Sequence, residues 1–156
     1  YQGIYDGSFR VSRYPPDAVS PYVDISARDG LRAIWFRSCR GADERARVSQ
    51  RVALPSGITQ LSYFETVYSE EEPNGITGLC ESPDTSRVEV NGVPLSTPVP
   101  LCGIFDEGTG TQLLQPWTQR TLNIAPYAGQ TVTLSFVFES DIEATSNWFV
   151  DDVAVQ

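Results

Sequence analysis

The sequence has no lysine, no histidine and no methionine, and all 11 of its basic residues are arginine. Without histidine the chain has no Ser-His-Asp triad, no Cys-His dyad and no imidazole ligand for zinc, copper or haem. Without lysine it has no Schiff base and no P-loop lysine. Pairs of carboxylates remain, but 20 acidic residues produce such pairs by chance, so they do not indicate glycoside hydrolysis. We therefore expect the chain not to be an enzyme.

Long apolar runs are also missing. No stretch approaches the ~20 consecutive apolar residues of a membrane helix, so we expect no membrane insertion. The net charge of −9 opposes binding to a phosphate backbone, which argues against nucleic acid as a partner.

Cysteine is scarce, with three residues in the chain. Cys80 and Cys102 flank a proline-rich segment, and their spacing favours a disulfide that closes this loop. Cys39 is then left over, either buried as a small apolar residue or paired with another chain. Since there is no C-x-x-C motif, a thiolate metal site has no support. A disulfide fits an extracellular or cell-surface location.

Alternation of apolar and polar residues recurs along the chain. It is clearest from Thr131 to Glu139, where Val132, Leu134, Phe136 and Phe138 fall on one face of a predicted strand. Similar runs, separated by Gly, Pro and Asn turn signals, predict strands at 8–14, 31–36, 46–54, 60–68, 86–90, 120–124 and 148–155. This spacing predicts an all-β fold, a two-sheet antiparallel β-sandwich of jelly-roll type. We expect a single domain over 1–156, with 1–30 forming an N-terminal arm or the first strands.

Four segments, in this order and spacing, resemble the bacterial MAM-like jelly-roll domains, a group that includes cleaved-adhesin and choice-of-anchor modules. They are 46–64, 84–92, 120–136 and 148–153. The resemblance covers about residues 31 to 156. It implies a β-sandwich related to carbohydrate-binding modules, and a structural calcium near the final strand.

The final strand suggests residues for that calcium. If Phe149, Val153 and Val155 face the core, alternation places Asp151 on the same inner face, where an unpaired carboxylate is costly. Calcium binds six to eight oxygen ligands, so Asp151 is the first candidate ligand, followed by Asp152 and Asp84. The alternative is that Asp151 caps backbone amides or pairs with an arginine.

The densest acidic run spans Ser69 to Gly75 and includes three consecutive glutamates. Such a run is usually a solvated loop, and cation binding is the alternative.

The predicted function is adhesion at the cell surface or a structural role in an extracellular assembly, in which an N-terminal arm adds a strand to a neighbouring chain. Its partners would be other proteins or further copies of the chain. The alternative is a carbohydrate-binding module of a secreted glycosidase or protease. Sugars stack on aromatic rings, and the candidate residues for this contact are Trp117, Trp148, Tyr127 and Trp35.

Overall fold

The computed structural model describes residues 9–13, 28, 32–38, 43–74, 80, 83–106, 108 and 112–156. Its strands are β1 (Phe9–Arg13), β2 (Arg32–Arg37), β3 (Glu44–Ala53), β4 (Gln60–Ser69), β5 (Thr85–Val90), β6 (Val93–Pro94), β7 (Val99–Pro100), β8 (Ile104–Phe105), β9 (Gln112–Leu113), β10 (Thr118–Asn123), β11 (Thr131–Ser140) and β12 (Ser146–Val155). A single 3₁₀ turn, Ala125–Tyr127, is the only helical element among these residues. None of the described helical structure is long or apolar enough to cross a membrane.

The strands form two antiparallel sheets. Sheet A has the order β1-β2-β12-β4-β10, and sheet B has the order β3-β11-β5-β6, with β7 also paired to β5. The short strands β8 and β9 form a separate two-stranded hairpin. From β2 to β5, and again from β10 to β12, consecutive long strands alternate between the sheets, as in a jelly roll. The predicted all-β sandwich is confirmed.

The core lies between the sheets and is built by alternation. On β11, Val132, Phe136 and Phe138 are buried in it, as the pattern from Thr131 to Glu139 predicted. Sheet A supplies the facing side chains, and the aromatic rings of Phe36 and Trp148 stack with centroids 4.9 Å apart. The two sheets therefore share one continuous hydrophobic core.

One end of the sandwich collects the ends of four central strands. Ser146 on β12 pairs with Ser69 on β4, and Glu139 on β11 pairs with Thr85 on β5. Both ends of the connection from β4 to β5 therefore lie beside the loop that leaves β11. We call this the acidic end, because the run 69–72 and the loop 141–145 both lie there.

Candidate metal centre

Three carboxylates converge at the acidic end. Glu71 follows β4, Asp84 precedes β5 and Asp141 follows β11. One carboxylate oxygen from each residue lies within 4.8 Å of the other two, and Glu71 and Asp84 are buried. The connection from β4 to β5 carries two of these carboxylates and the loop from β11 to β12 carries the third.

Asp84 is held firmly by hydrogen bonds. Its Oδ1 accepts from the backbone N–H of Asp141 at 2.9 Å, and its Oδ2 accepts from the Ser38 hydroxyl at 3.2 Å. The Ser38 Oγ in turn accepts from the backbone N–H of Ser146 at 2.7 Å. Burial raises the pKa of Asp84, although these hydrogen bonds act in the opposite direction. The carboxylate is therefore oriented by β2, β11 and β12 together.

Glu71 is less well satisfied. Only 6% of the residue is exposed, and its Oε1 has no hydrogen-bond partner within the described part of the chain. Burial, followed by the nearby charges of Asp84, Asp141 and Glu143, raises its pKa to about 7. A buried carboxylate oxygen without a partner is costly, so the site favours a bound cation.

The donor set fits calcium. The site offers oxygen ligands only, which suits a hard cation, and Ca–O distances of about 2.3–2.6 Å allow oxygens within 4.8 Å of one another to contact the same ion. A cation would also offset the repulsion that raises the pKa of Glu71. Glu71, Asp84 and Asp141 would hold the ion, which would neutralise their charge and cross-link the loops that carry them.

Of the three predicted metal ligands, the structure places Asp84 in this carboxylate group and places Asp151 and Asp152 elsewhere. Phe149 lies on the outer face of sheet A, so Asp151, two residues later, also faces outward. A β-bulge then interrupts the alternation between Asp151 and Ala154. The assumption that Phe149 and Val153 face the core was therefore wrong, and Val153 is 41% exposed.

Asp151 and Asp152 have other partners. The Asp151 carboxylate accepts from the backbone N–H groups of Asp152 at 2.8 Å and of Arg28 at 2.9 Å. The Arg28 guanidinium pairs with Asp152 and lies 3.4 Å from the centre of the Phe64 ring. Amide capping, one of the two alternatives for Asp151, describes its contacts, whereas the arginine ion pair is formed by Asp152.

Trp148 is not a surface residue. It is fully buried in the core, and its indole N–H donates to Glu65 Oε2 at 2.8 Å. Because it is buried, the prediction that it is a sugar platform was wrong. Trp35 is also buried, and its ring is parallel to that of Phe149 at 5.9 Å on the outer face of sheet A.

Trp117 packs against this outer pair and stays half-buried. Tyr127 is half-buried against the main core. Of the aromatic residues predicted to contact sugars, these two are the ones that remain partly exposed.

A disulfide joins Cys80 and Cys102. Cys39, as well as residues 1–8, 14–27 and 29–30 of the predicted N-terminal arm, lies outside the described residues.

Glu71 and Asp141 were not among the metal ligands predicted from the sequence, although the structure groups them with Asp84. Glu71 belongs to the acidic run for which cation binding was the alternative, whereas Asp141 stands alone. Their position relative to the strands could have identified them, because each of the three carboxylates lies one or two residues beyond a strand end. In an antiparallel sandwich, those ends meet on the same side.

No protein-family model matches the chain. No curated protein matches it. Among solved structures, the K1 cleaved adhesin domain of Lys-gingipain from Porphyromonas gingivalis is similar, with a TM-score of 0.59 and 11% identity over 96% of this chain and 83% of that one. The predicted resemblance to cleaved-adhesin modules is thus confirmed for the fold.

Two further structures are more distantly similar. TmCBM61 in complex with β-1,4-galactotriose has a TM-score of 0.46 and 15% identity over 84% of this chain and 74% of that one. The K3 cleaved adhesin domain of the same gingipain has a TM-score of 0.44 and 12% identity over 98% and 97% of the two chains. Both scores are below 0.5, so we draw nothing more from them.

Proposed function

We propose that the chain is a non-enzymatic, calcium-stabilised β-sandwich module that acts outside the cell, in cell-surface adhesion or as a structural subunit of an extracellular assembly. The observation that carries the proposal is the convergence of Glu71, Asp84 and Asp141 at the acidic end, where no described residue offers a hydrogen bond to the buried Oε1 of Glu71.

The role of calcium follows from electrostatics. Like charges brought together in a buried site oppose folding until a cation neutralises them. Extracellular modules bind calcium with dissociation constants of about 10⁻⁴–10⁻³ M. The Cys80–Cys102 disulfide supports the same compartment, because disulfides persist in oxidising surroundings.

The adhesive role is supported by the shared fold and by the chemistry that the chain lacks. The K1 domain, whose fold resembles this one, is described as a cleaved adhesin domain. The absence of histidine and lysine removes the common nucleophile and base pairs, so recognition is the remaining use of such a surface.

Adhesion is tested with beads coated with the purified chain. The beads are applied to immobilised extracellular-matrix proteins and to a glycan array, once in calcium and once in chelator. The calcium concentration is about 1 mM, which matches the largest dissociation constants of extracellular calcium modules. We expect calcium-dependent retention that is lost in Glu71→Gln and kept in Glu72→Gln, because Glu72 is an exposed carboxylate in the same segment.

Assembly is tested on the same preparations by light scattering and electron microscopy. Calcium-dependent filaments or discrete oligomers support a structural subunit. A chain that stays monomeric in calcium and retains no beads on either surface overturns the proposal.

The second candidate function is glycan recognition, and Trp117 is the observation that favours it. Its half-buried ring lies beside the Trp35–Phe149 stack on the outer face of sheet A, so its remaining surface can stack on a sugar. Glycan recognition is tested on a glycan array without calcium. Binding that Trp117→Ala loses and Glu71→Gln retains supports this function over calcium-dependent adhesion.

A further inference from the structure

The disulfide lies against the candidate metal centre rather than apart from it. Cys102 sits in the segment Leu101–Gly103, which passes between the main chains of two of the three carboxylate residues. The N–H of Leu101 donates to the carbonyl of Asp84 at 2.8 Å, and the N–H of Gly103 donates to the carbonyl of Glu71, also at 2.8 Å. This segment therefore fixes the spacing of two ligand-bearing backbones.

The fit at Gly103 is tight. A Cβ at this position would lie 2.2 Å from the carbonyl oxygen of Ser69 and 3.0 Å from that of Glu71. Both contacts are with backbone atoms, which do not move aside easily, so any residue larger than glycine forces the segment away from β4. The close approach is needed for the Gly103–Glu71 hydrogen bond.

Both cysteines are anchored to the same region. The carbonyl of Cys102 accepts from Gln115 Nε2 at 2.6 Å, and Cys80 forms an isolated β-bridge with Pro73, two residues after Glu71. The disulfide thus links Cys80, which lies beside the segment that carries Glu71, to Cys102, whose segment is hydrogen-bonded to Asp84. We call Leu101–Gly103 together with the disulfide the clamp.

We infer that the clamp is a redox-sensitive control of calcium affinity: with the disulfide formed it holds Glu71 and Asp84 at the spacing that the cation needs, and reduction releases them. The inference rests on the calcium site of the proposed function. Without the cross-link, calcium binding must supply the free energy that orders the loops, so the affinity falls. By linkage, bound calcium must oppose reduction by the same factor.

The reaction requires a dithiol reductant. One thiolate attacks Cys80 Sγ or Cys102 Sγ and forms a mixed disulfide, and the other cysteine leaves as a thiolate. The second thiol of the reductant then attacks the mixed disulfide and releases the remaining cysteine. The protein gains two electrons and two protons, and the reductant becomes a cyclic disulfide.

Calcium affinity is measured by titration calorimetry in a Cys39→Ser background, so that no third thiol can exchange. The double variant Cys80→Ser with Cys102→Ser is compared with the parent, and Gly103→Ala is measured with the disulfide intact. We expect both to bind calcium about fivefold more weakly or worse, the lower range of ordinary coupling between sites. Val132→Ala, a buried change on β11 near the opposite end of the sandwich, controls for general loss of stability and keeps the parent affinity.

A second readout does not depend on the folding of these variants. The equilibrium fraction of the parent disulfide that is reduced, in buffers of fixed reduced-to-oxidised dithiothreitol ratio, is measured by alkylation and mass spectrometry, with calcium and with chelator. We expect calcium to shift this equilibrium toward the disulfide, and expect no such shift in Glu71→Gln.

Equal calcium affinity in the parent and in a folded double variant overturns the clamp and leaves the proposed calcium site intact. A reduction equilibrium that calcium does not change, measured at a concentration that saturates the parent, also overturns the clamp. Absence of calcium binding in the parent overturns both.

Discussion

Replacing Glu71 with glutamine is expected to change how the metal-free protein responds to pH. In the unfolded chain this carboxyl has the ordinary pKa of 4.5, whereas in the folded chain its pKa is about 7. The folded state therefore holds a proton that the unfolded state has lost. The stability that this proton contributes is complete below pH 4.5 and disappears as the pH rises through 7.

The size of the effect follows from the two pKa values. Since one pKa unit is worth about 1.4 kcal/mol, ionising Glu71 in the folded metal-free chain at pH 8 costs about 3 kcal/mol. Glutamine cannot ionise, so Glu71→Gln avoids this loss. For a chain of this length, 1 kcal/mol corresponds to about 2–4 °C in Tm.

The measurement is urea unfolding in chelator at intervals from pH 5 to pH 8, followed by tryptophan fluorescence. The difference in unfolding free energy between Glu71→Gln and wild type should grow by about 2.5 kcal/mol across this range in favour of the variant. Glu72→Gln, which removes an exposed carboxylate from the next position, should follow wild type. If Glu71→Gln and Glu72→Gln have parallel pH profiles, Glu71 is not the buried, repelled carboxyl described here.

Three further predictions concern the rest of the molecule. Removing the Cys80–Cys102 disulfide, which closes a loop with a sequence separation of 22, should lower the unfolding free energy in urea by about 3 kcal/mol; an unchanged urea midpoint would contradict this. Phe138→Ala, in the core, should cost about 3–5 kcal/mol in the same assay, whereas the exposed Val93→Ala should stay within about 0.5 kcal/mol. Trp117→Ala should leave calcium affinity in calorimetry unchanged, and a large loss would mean that the outer face of sheet A supports the metal centre.

Parts of the fold could be predicted because some strand segments alternate between apolar residues that face the core and polar residues that face outward. On β11 the apolar residues alternate with Thr131 and Thr133, and this alternation shows which face of the strand is turned to the core. The predicted strand 46–54 likewise corresponds to β3, and 60–68 corresponds to β4.

The first half of the central strand β12 shows no such alternation between buried and exposed residues. Trp148, Phe149 and Val150 are all buried, because sheet A covers the main core with one face and packs Trp35 and Trp117 on the other. A strand that is apolar on both faces gives no indication of which side is inward. The orientation of Trp148 and of Asp151 was therefore predicted wrongly.

The metal centre could be predicted only in part, because its ligands come from loops. Asp84 was a candidate ligand, and cation binding was the alternative to a solvated loop for the acidic run that contains Glu71. Grouping them with Asp141 requires the register of β4, β5, β11 and β12. That register depends on tertiary packing, which local sequence patterns do not specify.

The central claim is that Glu71, Asp84 and Asp141 bind calcium. It is tested most directly by titrating calcium into chelator-treated wild type, Glu71→Gln and Glu72→Gln in a calorimeter. We expect wild type and Glu72→Gln to bind one calcium ion at this site with the same affinity, and Glu71→Gln to bind it at least about tenfold more weakly, a loss of about 1.4 kcal/mol. Equal binding by Glu71→Gln and wild type, or no binding by wild type, would contradict the claim.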